Sequence, residues 1–249
     1  MVEPHFNELR NDVLSLYRGE DFRINDKIKI HQPSLGEICE YGEEKYFSMI
    51  HIFTAIPSDM KSQLFDSGID YEKITDFDLF MMLIPGLSLD VTKIIFGDID
   101  FNKFSQYIDQ TNDEIILYDT QTDTRIDRYI YQVMSDYLAK VHGIIKKVEL
   151  AGNEFTKNFL IQESRDKIKK NKDKPFESSL QPLISTMINC EGFKYNHAQV
   201  WDMKINAFMD SISRIQKIKH VNYLMQGHYS GTVDLTKVNK KELNWIGEL

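Results

Sequence analysis

Cysteine is nearly absent: Cys39 and Cys190 are the only two in 249 residues. Two thiols make no disulfide framework, and the chain reads as one suited to a reduced, intracellular setting. Six prolines and twelve glycines exclude long low-complexity or linker-like tracts. No apolar run approaches the roughly 20 residues that span a bilayer; the longest is "LFMMLIPGL". The opening "MVEPHFNELRND" lacks a basic stretch followed by an apolar one, so no signal peptide is expected. A cytosolic or virion-type soluble protein follows, with no membrane partner. Missing too is any glycine-rich phosphate loop, which leaves nucleotide chemistry without its usual cradle.

The charge is lopsided. Residues 1–125 carry 24 acidic against 11 basic side chains, and the remainder 14 against 19. An acidic first half opposes nucleic-acid binding, because phosphate contact needs a positive field. It suits a basic protein partner, head-to-tail contact with the second half of another copy, or simply a solvated acidic face.

What is present is mostly helical periodicity. A first helix is expected over residues 5–17, with Phe6, Leu9, Val13 and Leu14 near one face. "FRINDKIKIH" places Ile24, Ile28 and Ile30 in alternation, a strand or short hairpin. Ser34 with Glu37 three positions on forms a capping box for a helix whose apolar face is Leu35, Ile38, Tyr46, Met49, Ile50 and Phe53. Pro57 stops it. Ser58 and Thr75 are expected to cap two short successors, the first closed by Gly68. "KIIF" and "DFNKF" read as strands either side of a turn at Gly97–Asp98, and "DEIILYD" as the best isolated strand. From Ile126 the i, i+3, i+4 pattern runs through Tyr129, Ile130, Val133, Met134, Tyr137, Leu138 and Val141, and continues to Ile144 and Val148. Gly143 inside it costs only about 1 kcal/mol relative to alanine, so one long helix is expected. Three more follow. The first starts at Glu154 with Asn153 as cap, and the second tolerates Pro182 in its first turn. The last has Trp201, Ile205, Phe208, Ile212 and Ile215 along one seam. The fold class is therefore α+β, predominantly α-helical: an acidic mixed region over 1–122, then a helical bundle with a C-terminal tail over 123–249, the two separate or one continuous domain.

The candidates for chemistry are few. Asp98 and Asp100 stand two apart in "FGDIDF", as hard-oxygen metal ligands can, although Asp-rich turns use the same residues for backbone hydrogen bonds. Asp66, Asp70, Glu72, Asp76 and Asp78 fit no calcium-loop register and read as helix caps and first-turn acids. Cys39, Cys190, His31 and His197 have no zinc-clasp spacing, and Cys39 reads as a small hydrophobe on an apolar helix face. The basic run over 165–175 has interleaved acids and almost no aromatics, which opposes single-strand binding and fits a solvated helix end or a patch for an acidic partner. "QGHYSGTVD" holds His228, Ser230 and Asp234, but its glycines do not form the hydrolase elbow and triads are not assembled from such near neighbours. It reads as a helix stop at Gly227 followed by a turn. No metal, cofactor or catalytic residue is assigned.

"GHYSGTVDLTKVNKKELNW" with "SISRIQKI" upstream resembles the ends of tail-region proteins of phages and prophages of Gram-positive bacteria. "IHQPSLGEICEYGEEKYF", "GIDYEKITDFDLF" and "IIFGDIDF" are similar in the same way. The resemblance implies a non-enzymatic tail or baseplate component, or a tail-assembly chaperone. It would work by contacts with other tail or baseplate proteins or with itself. It directs attention to Tyr229, Asp234 and Trp245 as a docking segment, Trp245 either anchoring in a partner's pocket or folding back on its own chain. Two other classes stay open: a metal-dependent enzyme on nucleic acid or nucleotides using Asp98 and Asp100, and a phage regulator that binds a host protein.

Overall fold

The computed structural model describes residues 13–247. Most of the expected first helix lies outside them; its end is α1, Val13–Arg18. The Ile24/Ile28/Ile30 alternation becomes an antiparallel hairpin, β1 (Phe22–Arg23) with β2 (Lys29–Ile30), and all three isoleucines are buried. The capping box forms as read: Ser34 Oγ accepts from Glu37 N–H and Glu37 accepts from Ser34 N–H. The helix it starts is broken at Gly42 into α2 (Leu35–Tyr41) and α3 (Glu43–Thr54). All six expected apolar-face residues are buried. The chain is extended at Ala55 and Ile56 and enters a 3-10 turn at Pro57, as the clash of a proline ring with the preceding residue requires.

Ser58 is buried in that turn and caps nothing. Thr75 does cap α5 (Asp76–Leu83), in a second capping box with Asp78; α4 (Lys61–Asp66) precedes it. "KIIF" is not a strand. It ends a helix, α6 (Leu89–Phe96), whose Thr92, Ile95 and Phe96 are buried at i, i+3, i+4 spacing, while "FNK" is a 3-10 turn. Burial against α3 and the hairpin overrides the β preference of branched side chains. The strands come later. β3 (Ser105–Ile108), β4 (Ile115–Asp119) and β5 (Thr124–Ile126) form an antiparallel meander in which Leu117 faces Ile126.

The long amphipathic helix is shorter at both ends than its pattern. It is α7, Arg128–Val141, capped by Asp127. Ile126 belongs to β5, and Ile144 and Val148 are exposed beyond the helix. Gly143 takes φ +64° and the Ile144 N–H bonds back to the Ala139 carbonyl, a left-handed C-terminal motif that glycine adopts without a Cβ penalty. A glycine tolerable inside a helix is here its stop. Then come α8 (Glu154–Asn171), capped by Asn153, α9 (Leu180–Ile188), α10 (Ile205–Tyr229) and α11 (Lys240–Leu243).

One core runs from Ile24 to Phe208. Its centre is aromatic. Phe53 lies 4.7 Å from Phe96, 5.2 Å from Phe101 and 5.4 Å from Phe80, and Phe80 stacks on Tyr131 at 4.7 Å. Polar pairs are sealed inside. Ser135 donates to the Phe53 carbonyl at 2.6 Å, and Tyr46 Oη meets His142 Nε2 at 2.6 Å. With His142 Nδ1 donating to the Leu138 carbonyl, the ring is held neutral, and burial lowers its pKa to about 4. The second half closes on the first. Leu35 N–H donates to the Met203 carbonyl and Ile205 N–H to that of Pro33. Glu43 reaches the start of α9, its carboxylate accepting from Ser178 Oγ, Ser179 N–H and Oγ, and Leu180 N–H. Burial works against that charge, but the hydrogen bonds prevail and hold the carboxyl below its ordinary range.

Candidate interaction surface in the C-terminal arm

Helix α10 is the longest among the described residues, 25 residues and therefore about 37 Å. Its first turns are anchored: Ile205 and Phe208 are buried, and Ile212 and Ile215 pack against the core as the seam suggested; Trp201 packs there too, but from a 3-10 turn, Val200–Asp202, ahead of the helix. Beyond that only Val221 is buried. From Ser211 to Val233 there is no acidic residue, while Arg214, Lys217, Lys219, His220 and His228 are present. Tyr223 and Tyr229 are 68% and 80% exposed. The distal arm is thus cationic, aromatic and solvent-facing, in a molecule whose net charge is −8.

The chain turns at the arm's tip and comes back. The helix does not stop at Gly227 but at Tyr229, with Gly231 at φ +73° just past it. Gly227 has another task. Its carbonyl accepts from Thr232 and Val233 N–H at 2.8 and 3.0 Å, and a Cβ there would lie 2.5 Å from Val233 Cγ2. Only glycine lets the returning chain come this close. Ser230 Oγ bonds the Gly227 carbonyl, His228 Nδ1 lies 3.3 Å from the Val233 carbonyl, and Asp234 accepts from Thr236 N–H and Oγ1. The three residues of the triad-like string thus serve the turn and the cap after it. The Thr236 hydrogen bonds hold the Asp234 carboxyl below its ordinary value.

From there the tail runs back along α10. His220 Nε2 and Glu242 are 3.7 Å apart, and Arg214 donates to the carbonyls of Trp245 and Gly247, both at 2.8 Å. This arginine was not among the residues the sequence singled out; its guanidinium fixes the tail through backbone oxygens, which carry no side-chain signature. Trp245 is latched by its main chain while its side chain stays 48% exposed.

The other candidates are spread over the fold. Asp98 and Asp100 line an open polar groove with Lys93, Lys103 and Asp119, and Asp100 caps the turn after it by accepting from Asn102 N–H. Among the described residues no three His, Cys, Asp or Glu side chains converge as a metal site. His31 is held by Asp21 at 2.7 Å. Cys39 is exposed, not a buried hydrophobe. It shares a groove of about 460 Å³ with His197 and Trp201; Cys190 instead meets Lys219, whose pKa it raises. Of the acids read as caps and first-turn acids, Asp76 and Asp78 open α5 as expected, whereas Asp66, Asp70 and Glu72 are paired with cations of α8. Lys157 of α8 bonds Asp70 at 2.5 Å and Glu72 at 2.9 Å, and Arg165 bonds Asp66. The hydrogen bond from Lys157 lowers the Asp70 pKa, and those from Asp70 and Glu72 raise that of Lys157. Part of the charge imbalance between the halves is therefore satisfied within one chain.

A family model described as the YomV second domain matches residues 169–249. The matched segment is the end of α8, α9 and the whole arm with its tail. The likeness is to a protein of phage or prophage type, without anything specific to a tail or baseplate. No curated protein and no solved structure matches the chain.

Proposed function

We propose that this chain is a non-enzymatic phage assembly protein of the tail or baseplate, an assembly chaperone or a baseplate component, and that its C-terminal arm is the docking element. It would act in the host cytoplasm during assembly and, as a component, remain in the virion. The observation that carries the reading is the distal arm. An arm without an acid over the 23 residues from Ser211 to Val233, with two exposed tyrosines and a half-exposed tryptophan in its tail, suits an acidic protein face that accepts aromatic anchors. Asp234 shapes the tail by capping it, so its part is positional, whereas Tyr229 and Trp245 are the contacting groups. The phage-type likeness over this same segment supports the setting.

The test is co-expression with the tail and baseplate proteins of the same phage. Wild-type chain is expected to co-purify with at least one of them. Combining Tyr229→Ala with Trp245→Ala is expected to weaken that complex by about tenfold or more. If no tail or baseplate protein binds, the assembly role falls; if the double variant binds as wild type does, the arm is not the docking element.

A further inference from the structure

The three-stranded sheet has one open side. In the order β3–β4–β5 the strand β3 pairs with β4 alone, and all four of its residues are exposed. Asp109 N–H donates to the Glu114 carbonyl at 2.9 Å, one step beyond the facing pair Ile108 and Ile115. Hydrogen-bonded and non-hydrogen-bonded pairs alternate along an antiparallel ladder. Ser105 and Tyr107 therefore turn their N–H and C=O toward β4, and Gln106 and Ile108 turn theirs away from it. Among the described residues no main-chain group bonds these outward ones. Phe104, the outward position before them, has already given its N–H to the Phe101 carbonyl. The edge thus presents two complete donor–acceptor residues, two positions apart. It also lacks what keeps sheet edges from pairing, since no lysine, proline or other charge-bearing residue stands within Ser105–Ile108.

We infer that β3 pairs with β3 of a second copy of the chain, antiparallel, about a two-fold axis at Tyr107. Two features select this occupant. The first is register. With the axis at Tyr107, Gln106 of each copy faces Ile108 of the other, and each pair exchanges both of its hydrogen bonds. Every outward group is then used, as a self-complementary two-fold contact requires. An axis at Gln106 would set Ile108 against Phe104, whose N–H is spent. One at Ile108 would set Gln106 against Gln110, which lies in the turn outside the strand. The second feature is charge. The strand itself is neutral, so no like charges meet across the axis. The exposed charges flanking it differ in sign, Lys103 before it and Asp113 and Glu114 in the turn after it. Antiparallel pairing sets the cationic end of one strand beside the anionic end of the other. Tyr107 meets its symmetry mate as a close, non-hydrogen-bonded pair, next to Tyr118, whose ring lies 5.6 Å from its own. None of these residues belongs to the arm, so the inference goes beyond the assembly role and stands without it.

Sedimentation equilibrium of the full chain tests it. So short an edge makes a weak contact, with an expected dissociation constant on the order of 100 μM. Gln106→Pro removes an outward N–H and leaves the bonds to β4 intact, a position at which an edge strand accepts proline. It is expected to weaken association by about tenfold or more with an unchanged circular dichroism spectrum. Tyr107→Lys, which sets two cations face to face, is expected to do the same without touching the main chain. The axis is read by cross-linking in a Cys39→Ser, Cys190→Ser background. Tyr107→Cys is expected to give a disulfide-linked dimer under mild oxidation, because facing non-hydrogen-bonded positions have the Cα separation that a disulfide needs. Gln106→Cys, whose symmetry mate lies diagonally along the strand, is expected to link more slowly. A wild type that stays monomeric at about 500 μM overturns the inference, as does association that survives both Gln106→Pro and Tyr107→Lys. Equal cross-linking at positions 106 and 107 overturns the two-fold register. Binding of tail proteins through Tyr229 and Trp245 is read separately and is touched by none of these outcomes.

Discussion

Helices α7 and α10 are both long, both amphipathic and both furnished with tyrosine. In α7, fourteen residues contain eight buried ones, Tyr131 and Tyr137 among them; in α10, twenty-five residues contain three. Tyr137 has its hydroxyl bonded to the buried Gln32 amide, and burial pushes its pKa up to about 12. Tyr223 and Tyr229 stand in water. Periodicity tells which face of a helix is apolar, but what covers that face depends on neighbours far away in sequence. The difference between the two helices is the difference between a core wall and a presented surface.

Mutation of the two regions should separate them most sharply. Phe53→Ala, at the centre of the aromatic cluster, is expected to lower stability by about 3–5 kcal/mol. Tyr223→Ala should change it by less than about 0.5 kcal/mol. Chemical denaturation measures both, and a Tyr223 loss comparable to that of Phe53 would erase the distinction.

Acid should act on the core side through His142. Its ring is buried neutral with a pKa near 4, whereas in the unfolded chain it binds a proton below about 6.5. Its contribution is therefore complete above pH 6.5 and drains away as the pH falls toward 4, by up to roughly 3 kcal/mol. Urea midpoints at pH 7 and pH 4.5 are expected to differ more in wild type than in His142→Gln; equal differences would show that the ring is not the group that titrates.

Salt should act on α8, which meets the body through the buried Ile161, a hydroxyl contact between Ser164 and Ser62, and the ion pairs of Lys157 and Arg165. Raising sodium chloride toward about 0.5 M screens such pairs. Amide exchange is expected to quicken in α8 and not in α7, and Lys157→Met to produce the same loss at low salt. Uniform exchange across both helices would refute the ionic latch. A small, local effect is expected at Gly227→Ala. The added methyl strikes Val233, so residues 232–247 should lose exchange protection while the melting temperature moves by no more than a few degrees.

Much of this architecture was readable in advance wherever local chemistry decides. The Ser34–Glu37 capping box, the Thr75 cap, the Ile24/Ile28/Ile30 hairpin, the Asn153 cap and the strand at "IILY" all rest on residues within a few positions of one another. What could not be read was set by tertiary contact. "KIIF" looks like a strand until Phe96 is needed against Phe53, and Gly143 looks harmless until the chain must leave α7. Asp66, Asp70 and Glu72 look like caps because their cations, Lys157 and Arg165, lie 85 or more residues away. At the arm, tyrosine and tryptophan could be noticed as anchors, but the latch from Arg214 to main-chain oxygens leaves no mark in a sequence.

The Glu43 clasp on α9 bears on the order of events at the ribosome. The first turn of α9 lacks an acceptor for its leading N–H groups until a carboxylate some 135 residues upstream is in position, and that carboxylate sits on α3, whose apolar face is closed by α7. A nascent chain halted before α7 is therefore expected to be open to protease throughout. One long enough for residue 142 to have cleared the ribosomal exit tunnel should already protect α2 to α7, leaving α9 to dock afterwards. Early protection of the shorter nascent chain would contradict this sequence of assembly.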